Sequence, residues 1–583
     1  MKISPAFRVF IRYVIGGGLA TLIHLLVLAF LVEIYRFNPS LATSLGFCIG
    51  TVFNYLFQYH LTFRAKGSHA QVFLRYIIVT VLMMGVNAAL FWALTQRASM
   101  PYIYAQMLAT IVIMFCNFAI NRLYTFSHIE HEGKIMNTIK KYRIWLIFLL
   151  AFVLRLTVFL LFRPWDIQVQ TESILTGDSP LYHSLAQCIV DHFSFCGDTF
   201  RTPGYPFFIA VFYQLFGTKP WVVLFAQIFV DLVTLYYVFK IGELLFSSRV
   251  GIIAAALFAI DANAIIWAAN LYSESLYDAL LAAALYYYLY ALKLGKGRSF
   301  LSAGLLLALT ALVKPVSQYY FVILLGCALV WPTKNLLLRT KYALLFGLAF
   351  VITISPWLYR NYTLYDTVKL SSVQGENLLF WQVVYARAKE THQPAEVITA
   401  AYLAQAQALG YSGYYGHSET GSRNPFVSEA IAQHIAVEYI KTHPQLYASS
   451  LISGVLHTYA NLGTADIIKR LGLPPTHLPG EAMFATESQF QLIATFFQSK
   501  SLPEIVAGMI VLVLLLVNYT TFLMGSYTLF RQRRLAILAL FSVSIAYFTA
   551  TGGTIGLARF RLPITPLYLL IGAVYIDQKW RQK

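Results

Sequence analysis

The amino-acid sequence predicts an all-α protein that crosses a membrane many times. Of its 583 residues, 58% are hydrophobic and only 12% are charged, whereas soluble proteins carry about 25% charged residues. Apolar runs of about 18 residues or more, long enough to cross the hydrocarbon core, recur along the chain and indicate about 14 spans. A more polar segment, residues 361–500, is expected on the outer face as a partly helical region.

The net charge of +18 does not indicate nucleic-acid binding. The basic residues concentrate in short connections between apolar runs, as the positive-inside rule expects of cytoplasmic loops. The chain is therefore predicted to be a multi-pass protein of a bacterial inner (cytoplasmic) membrane. A few basic residues that face the other side suit an anionic lipid headgroup.

Residues 1–128 contain an internal repeat. Asn54 recurs as Asn117 and residues 10–13 recur as residues 73–76, both at an offset of 117 − 54 = 63. Each copy holds two spans, so the copies share one orientation and are expected to form a parallel pseudo-two-fold pair.

Polar residues at equivalent places in the repeat have two interpretations. They form hydrogen bonds between membrane helices, which is common, or they bind the headgroup of a phosphorylated lipid. The candidate lipid-binding residues are Arg12, Asn54, Arg75, Asn117 and Arg122.

The first module resembles the GtrA-like family. The matching segments are residues 10–18, 54–57 and 117–126, although the second copy lacks the glycine run of the first. The resemblance implies a four-helix membrane module over residues 1–128 that binds or flips a polyprenyl-phosphate sugar. Residues 129–143, where the apolar pattern ends, are then predicted to be a cytoplasmic linker.

In the second module, residues 144–583, the most informative residue is Asp178. It lies in a polar stretch with Tyr182, just after an apolar span, and Arg201 follows 201 − 178 = 23 residues later. A carboxylate suits removal of a proton from a hydroxyl group, and basic side chains suit a phosphate. The further charged residues predicted at the same end of the spans are Glu274, Lys314, Arg360, Arg559 and Arg561.

Simpler interpretations of these residues remain open. Asp178 and Glu274 are also suited to capping a helix or forming a turn, and Arg360 and Arg561 to reaching lipid headgroups. Arg155 lies inside a span, where an ionisable residue is a functional candidate unless it reaches the interface.

The two cysteines of the first outer loop, Cys188 and Cys196, are a possible disulfide pair. A straight helix would separate them by about 12 Å, which is too far for a bond, so pairing requires the chain to bend. The sequence shows no tight spacing of metal ligands, and no metal is predicted.

The second module resembles the GT-C superfamily of membrane glycosyltransferases, in particular aminoarabinose transferases and protein O-mannosyltransferases. The resemblance rests on the loop with Asp178 and on residues 201–206, 309–315, 356–362 and 558–563. It implies that Asp178 is the catalytic residue. Lys314 stands where the family usually has arginine, which keeps the charge but loses the planar fork.

Together the resemblances imply a glycosyltransferase that moves a sugar from a polyprenyl-phosphate donor to an acceptor at the outer, periplasmic face. No cofactor is expected beyond this donor. The expected partners are membrane lipid, the lipid-linked sugar, a glycan, glycolipid or protein acceptor, and a cytoplasmic donor synthase. The alternative is a lipid-linked sugar translocase or scaffold without transferase activity. The sequence identifies neither the sugar nor the acceptor.

Overall fold

A computed structural model describes residues 5–33, 49–63, 69–92, 94, 102–126, 132–330, 336–413, 424–470 and 501–582. Every regular element in these ranges is helical, and the predicted all-α, polytopic membrane class is confirmed. The chain divides into two compact units, Met1–Arg143 and Ile144–Lys583.

The first unit is built from long apolar helices. Two of its helices end in a short π-helical turn, Gln58–Thr62 after the second helix and Asn121–Thr125 after the fourth. The helices are α1 (Pro5–Glu33), α2 (49–57), α3 (His69–Trp92) and α4 (Tyr102–Ile120).

Most of the predicted linker, residues 129–143, is helical. Residues 129–131 lie outside the described residues, but residues 132–143 form the first turns of helix α5, Glu132–Phe162. The apolar pattern begins only at Ile144, so the polar first turns were not recognisable as part of a helix.

The second unit contains the remaining helices. One-turn helices at Ile167–Val169 and Val373–Glu376 each lead into a π-helical turn, and a 3₁₀ helix covers Ala558–Ile564. The longer helices are α6 (Ser179–His192), α7 (Gly204–Phe216), α8 (Pro220–Leu245), α9 (Ser248–Ala259), α10 (Ala262–Trp267), α11 (Glu274–Leu294), α12 (Gly297–Val313), α13 (Ser317–Val330), α14 (Leu336–Tyr365), α15 (Val384–Thr391), α16 (Ala395–Ala408), α17 (Pro425–Thr442), α18 (Pro444–Ala460), α19 (Thr464–Arg470), α20 (Leu502–Arg531), α21 (Leu535–Thr551) and α22 (Thr565–Gln582).

Five described helical segments are long and apolar enough to cross a membrane, and several apolar helices of 10–17 residues accompany them. Helix α7 is one of these shorter helices and was not predicted. The five long segments are Arg143–Phe162, Pro220–Leu245, Leu337–Tyr365, Glu504–Arg531 and Ala558–Gln582.

The C-terminal helix lies in the middle of the second unit. In the most apolar part of Ala558–Gln582, 78% is buried, against 22% in the most apolar part of Glu504–Arg531. Helix α22 packs against α9 and α20. The 3₁₀ helix that precedes α22, with Arg559 and Arg561, is therefore held inside the unit rather than at its edge.

Residues 373–442 form a smaller helical layer with its own hydrophobic core. Leu379, Val383, Ala432 and Ile435 are among its buried members. This layer belongs to the polar segment 361–500 predicted from the sequence, of which residues 414–423 and 471–500 lie outside the described residues.

Candidate active site

Asp178 is placed by a tight turn before helix α6. Gly177 has a left-handed φ of +61°, and a Cβ atom there would collide with the hydroxyl group of Tyr272. Asp178 precedes the first helical residue, Ser179, but its side chain makes no capping hydrogen bond. Asp178 therefore lies in a turn, as one interpretation expected, but its side chain does not cap the helix and its carboxylate faces other side chains.

The carboxylate of Asp178 accepts hydrogen bonds from two arginines. The Arg201 Nη2 atom lies 2.8 Å from Oδ1 and the Arg559 Nη1 atom 3.3 Å from Oδ2. The guanidinium group of Arg201 also lies over the ring of Tyr182, 4.9 Å from its centre. The Asp178 side chain is partly buried, with 28% of its surface exposed.

A second ion pair lies beside the first. The Nζ atom of Lys314, the residue that ends α12, donates to Glu274 Oε1 at 2.9 Å. Glu274 is the first residue of α11, but its carboxylate binds this lysine and caps nothing. Arg559 interacts electrostatically with both Glu274 and Asp178. We call these residues the charged cluster: Asp178, Arg201, Glu274, Lys314 and Arg559.

The loop with Arg201 is fixed to the end of α12. The Thr202 hydroxyl donates to the carbonyl oxygen of Val313 at 3.1 Å. A Cβ atom on Gly204 would lie 2.8 Å from the carbonyl oxygen of Leu312, so the two backbones approach closely. Arg201 and Lys314 are therefore held on two segments that are fixed to each other. The close approach of the two backbones explains why a glycine follows Thr202 and Pro203.

The charged cluster favours anions. Its three bases and two acids leave a net charge of 3 − 2 = +1. Burial opposes ionisation of Asp178, but Arg201 and Arg559, with Lys314, lower the pKa of its carboxyl group below the usual value. Asp178 is therefore ionised at neutral pH and pairs with both arginines.

Two neighbours of the charged cluster, the acidic Asp278 and the aromatic Tyr272, were not predicted from the sequence. Asp278 lies one turn after Glu274 on α11, is 5% exposed, and interacts electrostatically with Lys314. The i, i+4 spacing of the two acids was the available signal. Tyr272 binds the backbone on both sides of Gly177, and nothing in the sequence indicated that role.

Arg561 has different partners from those predicted. Its guanidinium group is 1% exposed, and its Nη1 atom donates to the carbonyl oxygens of Thr458 at 2.6 Å and Asn461 at 2.5 Å. These contacts hold the C-terminal end of α18, so Arg561 stabilises the fold instead of reaching towards lipid headgroups. Arg561 also borders a cavity with Trp267, whose ring lies under Arg559.

Arg360 also lies on another surface. Its guanidinium group stacks on Trp357, 4.5 Å from the ring centre, and donates to the side chain of Asn361 at 2.8 Å. Among the described residues, its acidic neighbour is Asp198 rather than Asp178. Burial raises the pKa of Asp198, whose carboxylate accepts from the backbone N–H of Arg201 at 3.0 Å.

Arg155 does not reach an interface. It is 1% exposed and forms a buried ion pair with Asp231. Its Nη1 atom also donates to the carbonyl oxygens of Ala151 and Ala259. These contacts join α5 to α8 and α9, which gives Arg155 a structural role.

Cys188 and Cys196 are joined by a disulfide, with their Cα atoms 6.2 Å apart. The required bend is present because α6 ends at His192 and Phe193 adopts a left-handed φ of 50°. The closed loop packs Phe195 against Trp357, with ring centres 4.9 Å apart.

In the first unit, the paired asparagines form hydrogen bonds within and between helices. Gln58 donates to Asn54, and Asn54 donates to the hydroxyl group of Tyr76 in the other copy, both at 3.0 Å. Asn121 donates to Asn117 at 3.0 Å in the same way. The contacts fit the helix-packing interpretation of these residues.

The arginines of the first unit contact a carbonyl oxygen and aromatic rings. Arg12 donates to the carbonyl oxygen of Leu61 at 3.4 Å, while Arg75 lies over the ring of Tyr124 and Arg122 over that of Phe118. Arg12 and Arg75 contact residues that are equivalent in the repeat, since 124 − 61 = 63.

Comparison with known families confirms both resemblances. Residues 12–126 match the GtrA/DPMS transmembrane domain, and residues 201–359 match the dolichyl-phosphate-mannose-protein mannosyltransferase family. The chain thus contains one segment similar to each of these two families. Arg201, Glu274 and Lys314 fall within the second match, whereas Asp178 and Arg559 lie outside it. No curated protein matches the chain.

Two solved structures with a similar course of the chain are AglB and ArnT. The oligosaccharyltransferase AglB from Archaeoglobus fulgidus, with an inhibitory peptide and a dolichol-phosphate, is 14% identical with a TM-score of 0.43, and the match covers 76% of this chain and 51% of AglB. ArnT from Cupriavidus metallidurans is 12% identical with a TM-score of 0.33, over 75% and 77% of the two chains. This chain thus spans about half the length of AglB.

Proposed function

We propose that the second unit transfers a sugar from a polyprenyl-phosphate donor to an acceptor hydroxyl at the outer face of the membrane. The observation that carries the proposal is the charged cluster, in which an ionised, accessible carboxylate lies between two arginines. The mannosyltransferase-family match over residues 201–359 supports the reaction class.

In the reaction, Asp178 takes the proton of the acceptor hydroxyl as its oxygen attacks the anomeric carbon of the sugar. The bond between that carbon and the phosphate oxygen breaks, and polyprenyl phosphate leaves with the electron pair. Arg201, Arg559 and Lys314 stabilise the negative charge on the leaving phosphate. The proton on Asp178 passes to solvent when the products depart.

The two arginines also explain how a strongly acidic carboxyl group serves as a base. Before the donor binds, their charges hold the pKa of Asp178 low. A phosphate that competes for the guanidinium groups weakens this effect, so the carboxylate becomes more basic when the donor is present. The base is thereby activated by the substrate that it serves.

We further propose that the first unit binds the lipid-linked sugar and delivers it across a bacterial inner membrane, with transfer on the periplasmic side. The GtrA/DPMS match supports this assignment. A cytoplasmic synthase would supply the donor, and the acceptor would be a glycan, a glycolipid or a protein.

The experiment is a transfer assay with the purified full-length protein, a radiolabelled polyprenyl-phosphate sugar and cell-envelope acceptor fractions. Label in the acceptor is the expected result. Movement of the lipid across vesicles without transfer would instead favour the translocase alternative, and co-purification with a synthase without either activity would favour the scaffold.

Delivery is tested by removing the first unit. A chain that starts at Glu132, which keeps all of α5, should transfer sugar in detergent, where donor reaches both faces, but should fail in cells. Activity of the shortened chain in cells would contradict delivery by the first unit. A shortened chain that folds but is inactive in detergent would show that the first unit contributes to the active site.

A further inference from the structure

Three consecutive residues before and at the start of α11 contact most of the charged cluster. Tyr272 contacts the backbone of Asp178 and the side chain of Arg559. The Ser273 hydroxyl lies 3.5 Å from that of Tyr182, whose ring supports Arg201, and Glu274 binds Lys314. This short segment therefore connects both ion pairs.

The hydroxyl group of Tyr272 fixes the backbone at Asp178. It accepts a hydrogen bond from the N–H of Asp178 and donates one to the carbonyl oxygen of Thr176, each at 3.2 Å. The two bonds bridge Gly177. This residue has a left-handed φ, and a Cβ atom on it would collide with the same hydroxyl group. One oxygen atom thus sets the turn from which the Asp178 side chain extends.

The ring of Tyr272 supports Arg559. The guanidinium carbon lies 5.3 Å from the ring centre, and 5.7 Å from that of Trp267. The two rings meet edge to face with centres 5.3 Å apart. Cation–π contacts of this kind attract a guanidinium group to the ring face and so favour one position of a long side chain.

We propose that Tyr272 is a positioning residue for both Asp178 and Arg559. Its hydroxyl group orients the carboxylate towards the acceptor, and its ring places the arginine where the donor phosphate binds. The inference rests on the proposed transferase activity and extends it to a residue that touches neither substrate. It implies that the two effects are separable, because one substitution removes the hydroxyl alone.

The test compares Tyr272→Phe with Tyr272→Leu in the full-length protein. Tyr272→Phe keeps the ring, so kcat should fall about 10-fold or more from a misplaced base, while KM for the donor stays within about twofold. Tyr272→Leu also removes the ring, so KM for the donor should rise as well. Tyr213→Phe, which removes a hydroxyl bonded to His183 at 2.7 Å, is the matched control and should leave kcat and KM unchanged.

The outcomes separate this inference from the proposed function. A wild-type protein that transfers sugar together with an unchanged Tyr272→Phe variant would overturn the inference alone. The inference would also be overturned if kcat fell only in step with a lowered melting temperature and KM for the donor changed equally in both variants. That result would indicate a general structural role for Tyr272. No transfer by the wild-type protein would overturn the proposed function and this inference together.

Discussion

The two units each contain a buried group of polar side chains, and the groups differ in charge and in access. In the charged cluster, 28% of Asp178 and 18% of Arg559 are exposed. The corresponding group in the first unit consists of neutral amides and hydroxyls that are at most 3% exposed. We call it the amide–hydroxyl cluster: Gln58, Thr62, Asn121 and Thr125.

The amide–hydroxyl cluster is symmetric and incompletely bonded. Its members occupy equivalent positions in the two π-helical turns, since 121 − 58 = 63 and 125 − 62 = 63. Phe63 and Phe126, which follow the turns, stack with ring centres 4.9 Å apart. Within the described residues, one side-chain oxygen of each member has no hydrogen-bond partner.

Buried polarity alone therefore does not distinguish the proposed reaction site. The charged cluster differs from the amide–hydroxyl cluster in its charge and its partial exposure. The neutral, enclosed cluster carries a cost, because an unpaired buried polar atom destabilises a fold by about 1–3 kcal/mol. Its π-helical turns are a form that is frequent at functional sites.

The sharpest test of the charged cluster is Asp178→Asn, which keeps the shape of the side chain but removes the base. We expect the transfer rate to fall by at least about 100-fold, the lower range for general base catalysis. Asp191→Asn, on the exposed face of the same helix α6, is the matched control and should retain normal activity. Near-normal transfer by a folded Asp178→Asn protein would remove Asp178 from the mechanism.

The next test separates two arginines of one motif. Arg559→Gln should raise KM for the donor about 10-fold or more without a change in melting temperature, because it loses a charge-assisted contact worth about 1.5–3 kcal/mol. Arg561→Gln should instead lower the melting temperature by several degrees, because the carbonyl oxygens of α18 lose a buried donor. If the two variants raised KM for the donor equally and had the same melting temperature, the structural role assigned to Arg561 would be wrong.

A smaller effect is expected from the second ion pair. Lys314→Gln should raise KM for the donor a few-fold more than KM for the acceptor, because a partly exposed charge is screened by solvent. It also leaves Glu274 buried and unpaired, so stability should fall. The double variant Lys314→Gln, Glu274→Gln should recover stability but not donor binding; recovery of both would show that Lys314 acts only by neutralising Glu274.

The smallest effect concerns the amide–hydroxyl cluster. The double variant Thr62→Val, Thr125→Val replaces two unpaired hydroxyl groups with methyl groups of similar size. Because it removes the desolvation cost, the melting temperature should rise by a few degrees. The control Thr21→Val, at an exposed threonine bonded to Gly17, should leave the melting temperature nearly unchanged. A lowered melting temperature in the double variant would show that the buried hydroxyl groups have partners.

Several features followed from the sequence alone. The length of the apolar runs predicted helical membrane spans, since a helix is the form that pairs its own backbone groups in hydrocarbon. The offset of 63 residues predicted two halves related by a repeat, and both π-helical turns occur at that offset. The predicted spans also placed a set of charged residues at one end, namely Asp178, Arg201, Glu274, Lys314, Arg360, Arg559 and Arg561. Five of them meet in the charged cluster, whereas Arg360 and Arg561 have other partners.

Only the tertiary structure decided which charge meets which. Arg559 and Arg561 are two residues apart in one motif and were equivalent in the sequence. On a 3₁₀ helix, with three residues per turn, they point to different sides, so one meets Asp178 and the other the carbonyl oxygens of α18. Likewise, the role of Tyr272 depends on a partner 272 − 178 = 94 residues away. Local patterns fix where a helix begins and which residues are polar, but the direction of each side chain depends on packing between segments that are distant in the chain.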